Sequence, residues 1–345
     1  MTRFLSFLFT LILVFPQASK GDDGCTWEVF KGRFVSPDGR VIDRVQENLS
    51  HSEGQGFAML LATRHNDPGA FDLVWRWTRN NIQARKSDAL FAWSWGERSP
   101  GKWGPIDLNN ATDGDTLIAV ALFEGAACWK KEEYRAYALE IIKSIQEHLV
   151  VERNGRLFLL PGYYGFVKNN GLILNPSYMI FPAYTIFAKY HEPGFWRKLR
   201  TDSLDILSKC TFTRLELPAD WVFWGPEGPS VYADKNEVFG FEAIRVLLYL
   251  AWDHNIKALS KMGRMLDIVD GLGFIPCNVN LARNTVSLDE APAGFYAVFA
   301  RVAAEIGEKD KSRALWKKAL ERLALEKDNY YSFALCLLSK IDLKP

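Results

Sequence analysis

The chain has 345 residues, of which 48% are hydrophobic, enough to fill one large core or two ordinary ones. Its 42 basic and 41 acidic residues leave a net charge of +1 without long blocks of one sign, which excludes the electrostatic signature of a protein that binds nucleic acid or an anionic membrane. Aromatic residues make up 14% of the chain and include 12 Trp, more than a core needs. Surplus indole rings favour a neutral ligand with flat faces, such as a sugar, although core packing is the alternative for any single Trp.

The N-terminus has the pattern of a secretory signal peptide. An apolar run from Phe4 to Phe15 is followed by small residues, and cleavage is expected after Ala18 or Gly21. The run is too short to span a bilayer, and an uncleaved signal anchor is the alternative interpretation. We therefore expect residues 1–21 to be removed, residues 22–345 to form a single domain, and the mature protein to be periplasmic or secreted.

The cysteines do not indicate a disulfide framework. Export would permit disulfides, but the five cysteines are odd in number and widely scattered. Cys128, Cys210 and Cys336 lie in or beside apolar helical patterns, where a buried free thiol is the usual state.

Nothing in the sequence indicates a metal or a cofactor. The five histidines show no ligand-pair spacing, and there is no HExxH, phosphate-loop or dinucleotide fingerprint. We therefore expect an activity that needs neither.

Apolar residues recur at helical spacing in consecutive pairs along the chain. A short amphipathic segment covers Trp27 to Val35, the first pair of helices follows from Gly56 and from Ala70, and the clearest helix contains Tyr134 to Leu149. Further helical patterns cover Ala111 to Leu122, Tyr178 to Tyr190, Phe195 to Leu207, Phe239 to Trp252, Ile256 to Val269, Pro292 to Ile306, Ser312 to Leu323 and Tyr330 to Leu338. About eleven or twelve helices, with no interdomain linker, predict one all-α domain, either a closed toroid of inner and outer helices or an open array.

Two long segments, Leu90 to Asn110 and Thr211 to Glu237, lack helical periodicity. Long aromatic-rich loops often belong to functional sites, so the three Trp residues of the first segment are candidate stacking platforms for a ligand. They are Trp93, Trp95 and Trp103. A short strand is predicted at Arg156 to Leu160.

Acidic residues lie at the N-terminal ends of three apolar helices: Glu53 in HSEGQGFAM, the pair Asp113 and Asp115, and Glu242. In a closed ring of helices these N-terminal ends would face one cleft. Hydrolysis of a glycosidic bond needs one protonated carboxyl group to donate a proton to the leaving oxygen and a second, ionised one to activate water or attack carbon. The sequence supplies both kinds of group.

Each of these residues also has a structural interpretation. Ser52 or Glu53 and Thr112 or Asp113 are suitable helix caps, because serine, threonine and acidic side chains bind the unpaired N–H groups of a first turn. Glu242 is placed to pair with Arg245 one helical turn further on. His51 either touches a ligand or has an ordinary structural role.

Together, the segments SEGQGFAML, ATDGDTLIAVAL, NPSY and FEAIRV resemble signature segments of glycoside hydrolase family 8. The likeness continues through Ala92 to Glu97 and Ala291 to Ala300, and it is nearest to the periplasmic endoglucanases that accompany bacterial cellulose synthase. It implies an inverting endo-β-1,4-glucanase on an (α/α)6 barrel that acts on β-1,4-glucan chains. We expect the enzyme to be a monomer, with the cellulose synthase complex as its protein partner. A xylanase or chitosanase of the same family, or a glucan-binding factor with weak catalysis, are the alternatives.

The resemblance also implies roles for individual residues. Glu53 would be the general acid, Asp113 would hold the sugar at the cleavage subsite, and Tyr178 and Arg245 would line the site.

One position departs from the family pattern. Family members have Asp, often after Tyr, where this chain has Phe241 and Glu242. An inverting enzyme needs carboxyl groups roughly 6.5 to 9.5 Å apart, and one added methylene moves a carboxylate by about 1.5 Å. Glu242 is therefore a working base, a weakened base or an inactive relic, with Asp234 and Glu237 in the preceding loop as reserve candidates.

Overall fold

A computed structural model describes residues 24–343 of the chain. The predicted signal peptide, residues 1–21, lies outside the described residues. The helices of the described part are α1 (Trp27–Phe34), α2 (Ser52–Arg64), α3 (Pro68–Asn81), α4 (Thr112–Trp129), α5 (Glu132–Leu149), α6 (Phe181–Tyr190), α7 (Pro193–Lys209), α8 (Ile244–Trp252), α9 (Ile256–Met262), α10 (Met265–Leu272), α11 (Ala293–Glu305), α12 (Lys309–Leu323) and α13 (Tyr330–Leu338).

The strands are short, and all of their pairings are antiparallel. They are β1 (Ser50–His51), β2 (Ser94–Ser99), β3 (Lys102–Asp107), β4 (Val150–Arg153), β5 (Arg156–Leu159), β6 (Val167–Lys168), β7 (Gly171–Leu174), β8 (Thr211–Phe212), β9 (Leu217–Pro218), β10 (Val222–Gly225), β11 (Gly228–Val231), β12 (Val238–Phe239), β13 (Val279–Asn280) and β14 (Thr285–Val286). A 3₁₀ turn, Pro176–Tyr178, precedes α6.

Six helices form a closed inner ring. Contacts run in order through α2, α4, α6, α8, α11 and α13, and α13 then packs against α2. A second helix covers each of them from outside: α3 on α2, α5 on α4, α7 on α6, α9 on α8, α12 on α11, and α1 on α13. This double ring confirms the predicted all-α toroid, an (α/α)6 barrel.

The two layers differ in their burial patterns. In the inner helix α4 nearly every residue from Thr112 to Ala126 is buried, whereas the outer helix α5 buries a single stripe that includes Tyr134, Ala138 and Ile141. A helix enclosed on all sides needs apolar residues all round, and a surface helix needs one apolar face. Within residues 24–343, no helix is both long and apolar enough to cross a bilayer.

Two glycines let the inner helices α2 and α4 approach each other closely. A Cβ atom on Gly114 would lie 2.3 Å from Ser52 Oγ and 2.8 Å from the Glu53 nitrogen, and one on Gly56 would lie 2.7 Å from Leu117 Cβ. Real Cβ atoms do not tolerate such distances, because packed interiors leave no spare volume. The glycines of SEGQG and TDGD therefore bring the first turns of α2 and α4 side by side.

The two segments predicted to be irregular contain strands. Residues 94–107 form the hairpin of β2 and β3, and residues 211–231 contain β8 to β11, of which β10 pairs with the distant β7. Strands of two to six residues with Gly and Pro give little alternation, and a distant partner leaves no local signal. The predicted strand at Arg156 is confirmed as β5.

Two predicted helices have different limits in the structure. The helix expected from Phe239 begins only at Ile244, and the one expected over Ile256 to Val269 is two helices, α9 and α10. Among the cysteines, Cys210 and Cys336 are buried as predicted, but the prediction for Cys128 is wrong, because this residue is exposed near the end of α4.

Candidate active site

The inner helices converge on a cavity of about 600 Å³. Its lining comes from the N-terminal ends of all six: Ser52 and Glu53 of α2, Asp113 of α4, Tyr178 before α6, Glu242 before α8, Pro292 before α11, and Tyr330 and Tyr331 of α13. The three helix N-termini with acidic residues that were identified in the sequence thus share one cavity. Helix N-termini also supply partial positive charge, which favours acidic side chains there.

Arg245 lies at the centre of the acidic cluster. Its Nη1 atom is 2.5 Å from Glu53 Oε1, and its Nη2 atom is 2.5 Å from Glu242 Oε2 and 3.2 Å from Asp113 Oδ2. The Arg245 side chain is only 5% exposed. One guanidinium therefore faces three carboxyl groups, so at least one of them is favoured in its neutral, protonated form.

The guanidinium also limits the separation of Glu53 and Glu242. Each has an oxygen 2.5 Å from a different Nη atom of Arg245. Because both Nη atoms are bonded to one carbon at about 1.33 Å, these two oxygens lie within about 8 Å of each other. A pair of carboxyl groups at that range can act on opposite sides of one bond.

Burial separates the proton affinities of the acidic residues. Desolvation, helped by the charges of Asp113 and Glu242, raises the pKa of Glu53 to about 8 against the opposing charge of Arg245. Burial likewise raises the pKa of Asp113 to about 6, again opposed by Arg245. Glu53 is consequently the carboxyl group of this pair that keeps its proton to the higher pH, as a proton donor requires.

Glu242 is more exposed and is surrounded by hydrogen-bond donors. Its side chain is 30% exposed, and its Oε2 atom accepts hydrogen bonds from Arg245, from Asn175 Nδ2 at 3.2 Å and from Ser177 Oγ at 3.4 Å. Asn175 in turn accepts hydrogen bonds from the Ser177 nitrogen and hydroxyl group, which fixes the NPSY segment. Three hydrogen-bond donors thus fix the position of one Glu242 oxygen at the cavity.

Asp220, which sequence reasoning missed, holds the turn that carries Glu242. Its buried carboxylate accepts the backbone N–H groups of Gly240 at 2.9 Å and Ala243 at 2.8 Å, and the side chain of Asn236 at 3.1 Å. These hydrogen bonds hold residues 240–243 in a turn just before α8. They explain why the helix begins at Ile244 and leaves Glu242 in a turn that faces the cavity.

Replacing Asp220 with Ala is expected to lower the free energy of unfolding by about 2–4 kcal/mol, because two buried backbone N–H groups lose their acceptor. Urea denaturation followed by circular dichroism measures this. The matched control is Asp234→Ala, an exposed residue in the preceding loop, whose effect should stay within about 0.5 kcal/mol. Equal effects of the two substitutions would show that Asp220 does not organise the turn.

The three candidate Trp platforms are not equivalent. Trp93 lines the cavity, 38% exposed, with its ring stacked on His51 at 5.7 Å and its Nε1 donating to Asp107. Trp95 and Trp103 lie outside the cavity, where they stack on each other at 5.3 Å and share the Arg40 guanidinium.

Two further aromatic residues lie in the cavity. Phe241, noted in the sequence only as the neighbour of Glu242, is 49% exposed there and packs on Phe295 and Tyr331. The Tyr178 ring lies 6.0 Å from the guanidinium carbon of Arg245. Their faces and edges provide apolar surface beside the carboxyl groups.

The other acidic candidates lie elsewhere. Asp115 is buried and accepts hydrogen bonds from the Phe91 nitrogen and from Asn110, so it anchors a loop. Asp234 is exposed and accepts a hydrogen bond from the Tyr232 hydroxyl group, and neither it nor Glu237 lines the cavity. In residues 24–343 no group of three or more His, Cys, Asp or Glu residues is arranged to hold a metal ion.

Comparison with known proteins yields a consistent set of relatives. The family described as glycosyl hydrolases family 8 matches residues 5–342. An endoglucanase of Cellulomonas uda is 43% identical over 292 residues, covering 84% of this chain and 79% of that protein. A probable endoglucanase of Novacetimonas hansenii is 32% identical, covering 79% and 80% of the two chains.

Solved structures give the same result. A family 8 endoglucanase from Klebsiella pneumoniae superposes with a TM-score of 0.80 at 36% identity, covering 91% of this chain and 97% of that one. A cold-adapted family 8 xylanase, at 19% identity and a TM-score of 0.74, shares the fold.

Proposed function

The chain belongs to glycosyl hydrolases family 8, and from this premise we propose that it is an endo-β-1,4-glucanase that cleaves β-1,4-glucan with inversion at the anomeric carbon. The observation that carries the proposal is the pair Glu53 and Glu242, held on different nitrogens of the buried Arg245 in one cavity. The endoglucanase relatives support the substrate class.

The geometry assigns complementary roles to the two carboxyl groups. Glu53, whose pKa burial raises to about 8, donates its proton to the glycosidic oxygen as the bond to the anomeric carbon breaks. Glu242 accepts a proton from a water molecule, whose oxygen bonds to the anomeric carbon from the opposite face. Bond making and bond breaking on opposite faces invert the configuration, and exchange with solvent returns the proton to Glu53.

Asp113 is the third carboxyl group beside the Arg245 guanidinium, and its position is fixed by two contacts. Asp113 approaches the same Nη2 atom as Glu242, and its Oδ1 accepts the Gly114 N–H at 2.8 Å. It is thereby fixed at the cavity floor, where it can hydrogen-bond the sugar at the cleavage point. The aromatic rings of Trp93, Phe241 and Tyr178 supply faces and edges for neighbouring sugar units.

The raised pKa of Glu53 predicts the basic side of the pH profile. Below pH about 8 the burial-stabilised proton is present and can be donated, and above it Glu53 is ionised and cannot donate. The kcat/KM for a soluble cello-oligosaccharide should therefore fall as pH rises through about 8. A decline centred near pH 5 would show that Glu53 titrates like an ordinary exposed carboxyl group, against this assignment.

A substrate panel tests the proposed specificity. Carboxymethylcellulose should be hydrolysed faster than xylan or chitosan, as measured by release of reducing ends. Faster cleavage of xylan or chitosan would favour the alternative family activities, and absence of turnover on every substrate with retained binding would favour a glucan-binding factor.

We further propose that the mature enzyme is periplasmic or secreted and is a monomer that works beside a cellulose synthase complex. The apolar N-terminal run and the resemblance to endoglucanases of cellulose-producing systems support this. N-terminal sequencing of protein from the periplasmic fraction, light scattering of the purified enzyme and co-purification with the synthase test the three statements. Retention of residues 1–21 on a cytoplasmic protein would contradict export.

A further inference from the structure

The two ends of the described chain meet at one buried contact. Cys25 precedes α1 and Cys336 lies in α13, and both are buried in the same hydrophobic core, 1% and 0% exposed. Both are free thiols in the structure, and a side-chain hydrogen bond from Cys25 contributes to the raised pKa of Cys336, so the two thiols lie within hydrogen-bond range. Two thiols at that range inside a core can be oxidised to a disulfide, whereas separated thiols cannot.

Neighbouring contacts hold this pair in place. The Lys340 ammonium group, one helical turn beyond Cys336, donates to the carbonyl oxygen of Cys25 at 2.9 Å, although the two residues are 315 positions apart. On the same side of α13, the Phe333 ring packs on Phe30 at 6.1 Å and on Phe34 at 5.9 Å, both in α1. The contact between the thiols is therefore part of a packed interface between α1 and α13.

The other three cysteines have different surroundings. Cys128 is exposed, Cys210 is buried without a second thiol, and Cys277 lines the cavity with hydrogen bonds to Ser287 and Asn278. An odd number of cysteines is thus divided into one close pair and three isolated thiols.

We propose that Cys25 and Cys336 form a disulfide in the exported enzyme, joining the start of the mature chain to the last inner helix. The proposal rests on the export proposed above and is independent of the catalytic assignment. Secreted and periplasmic proteins fold in surroundings that oxidise such pairs. A cross-link between the two ends of the chain closes a very long loop and restricts the unfolded state strongly.

The oxidation balances as an ordinary thiol–disulfide exchange. Each thiol loses a proton, one S–S bond forms, and two electrons pass to an oxidant of the disulfide class, which is reduced to two thiols. Hydrogen bonding to Cys25 and burial raise the pKa of the Cys336 thiol, and a protonated, buried thiol reacts slowly. We therefore expect the bond to form during folding, before α1 covers α13.

Peptide mapping of the exported enzyme tests the proposal. The protein is denatured and alkylated without reductant and digested with trypsin. We expect the peptide that ends at Lys31 to be linked to the peptide of residues 328–340, with Cys128, Cys210 and Cys277 alkylated. Alkylated Cys25 and Cys336 in the exported enzyme would overturn the proposal, whatever its activity.

Thermal unfolding gives a second readout. Exported wild-type enzyme that is unfolded in urea with a reductant and refolded with the reductant present should have a Tm about 5 °C or more below that of the untreated enzyme, and the same treatment should leave the Tm of Cys336→Ser unchanged. The control Cys128→Ser, an exposed thiol, should respond to reductant like the wild type. Should Cys336→Ser fail to fold, the peptide map of the wild type still decides, and an equal Tm with and without reductant in the wild type would contradict the cross-link.

Discussion

Replacing Glu53 with Gln is expected to lower kcat on cello-oligosaccharides by about 10²- to 10⁴-fold, the usual contribution of a positioned general acid. Gln has the shape of a protonated Glu but cannot donate a proton to the leaving oxygen. Since burial keeps Glu53 protonated up to pH about 8, the neutral amide preserves the charge of the site under ordinary conditions. Affinity for cello-oligosaccharides, measured by calorimetry, should therefore stay within a few-fold of the wild type.

An activated substrate provides the matched control. A dinitrophenyl leaving group departs without protonation, so Glu53→Gln should lose far less activity on dinitrophenyl β-cellobioside than on cello-oligosaccharides. An equal loss on both substrates would mean that the substitution disturbs the site as a whole. Full activity on cello-oligosaccharides would remove Glu53 from the role of acid.

Replacing Glu242 with Ala is expected to lower kcat by about 10³-fold, because Glu242 is the most exposed of the three carboxyl groups that contact Arg245 and so the best placed to meet a water molecule. The donors left behind, from Arg245, Asn175 and Ser177, can be solvated in the open cavity, so stability should change little. Added azide, a small anionic nucleophile, should restore turnover and give an α-glycosyl azide. Unchanged activity in Glu242→Ala would place the base elsewhere, and Asp234→Ala and Glu237→Ala then test the reserve candidates.

The substitution Glu242→Asp introduces the residue of the family pattern at this position and tests the effect of the added methylene group. Glu242 already reaches three donors, and Asp would withdraw the carboxylate by about 1.5 Å from Asn175 and Ser177. We expect Glu242→Asp to lower kcat by about 10- to 100-fold, the cost of misplacing a reacting group. A strong rise in kcat would instead identify Glu242 as a detuned base.

The helices could be predicted from the sequence because their signals are local. Apolar spacing marks each helix, but it left closure into a ring open, and the close crossing of α2 and α4 at Gly56 and Gly114, which sets Glu53 beside Asp113, is seen only in the structure. The resemblance to a known family then gave these local patterns a common fold and a reaction.

The arrangement of the site depends on contacts between distant parts of the chain. Arg245 could be suspected of pairing with Glu242, but that it also meets Glu53 and Asp113 follows only from closure of the ring. Asp220 accepts hydrogen bonds from backbone N–H groups 20 and 23 residues further on, and no side-chain pattern in the sequence indicates such bonds.

The Trp residues show the same limit. Trp93, Trp95 and Trp103 are close in sequence, yet only Trp93, which precedes β2, lines the cavity, whereas Trp95 and Trp103 lie on the hairpin of β2 and β3. Sequence proximity could not separate them, because the pairing register of the hairpin decides where the Trp95 and Trp103 rings lie.

The configuration of the first product tests the central claim most directly. Proton NMR can follow hydrolysis of a cello-oligosaccharide by the wild-type enzyme on a timescale faster than mutarotation. With Glu53 as acid and Glu242 directing water from the opposite face, the new reducing end must appear first as the α-anomer. Initial accumulation of the β-anomer would contradict the account.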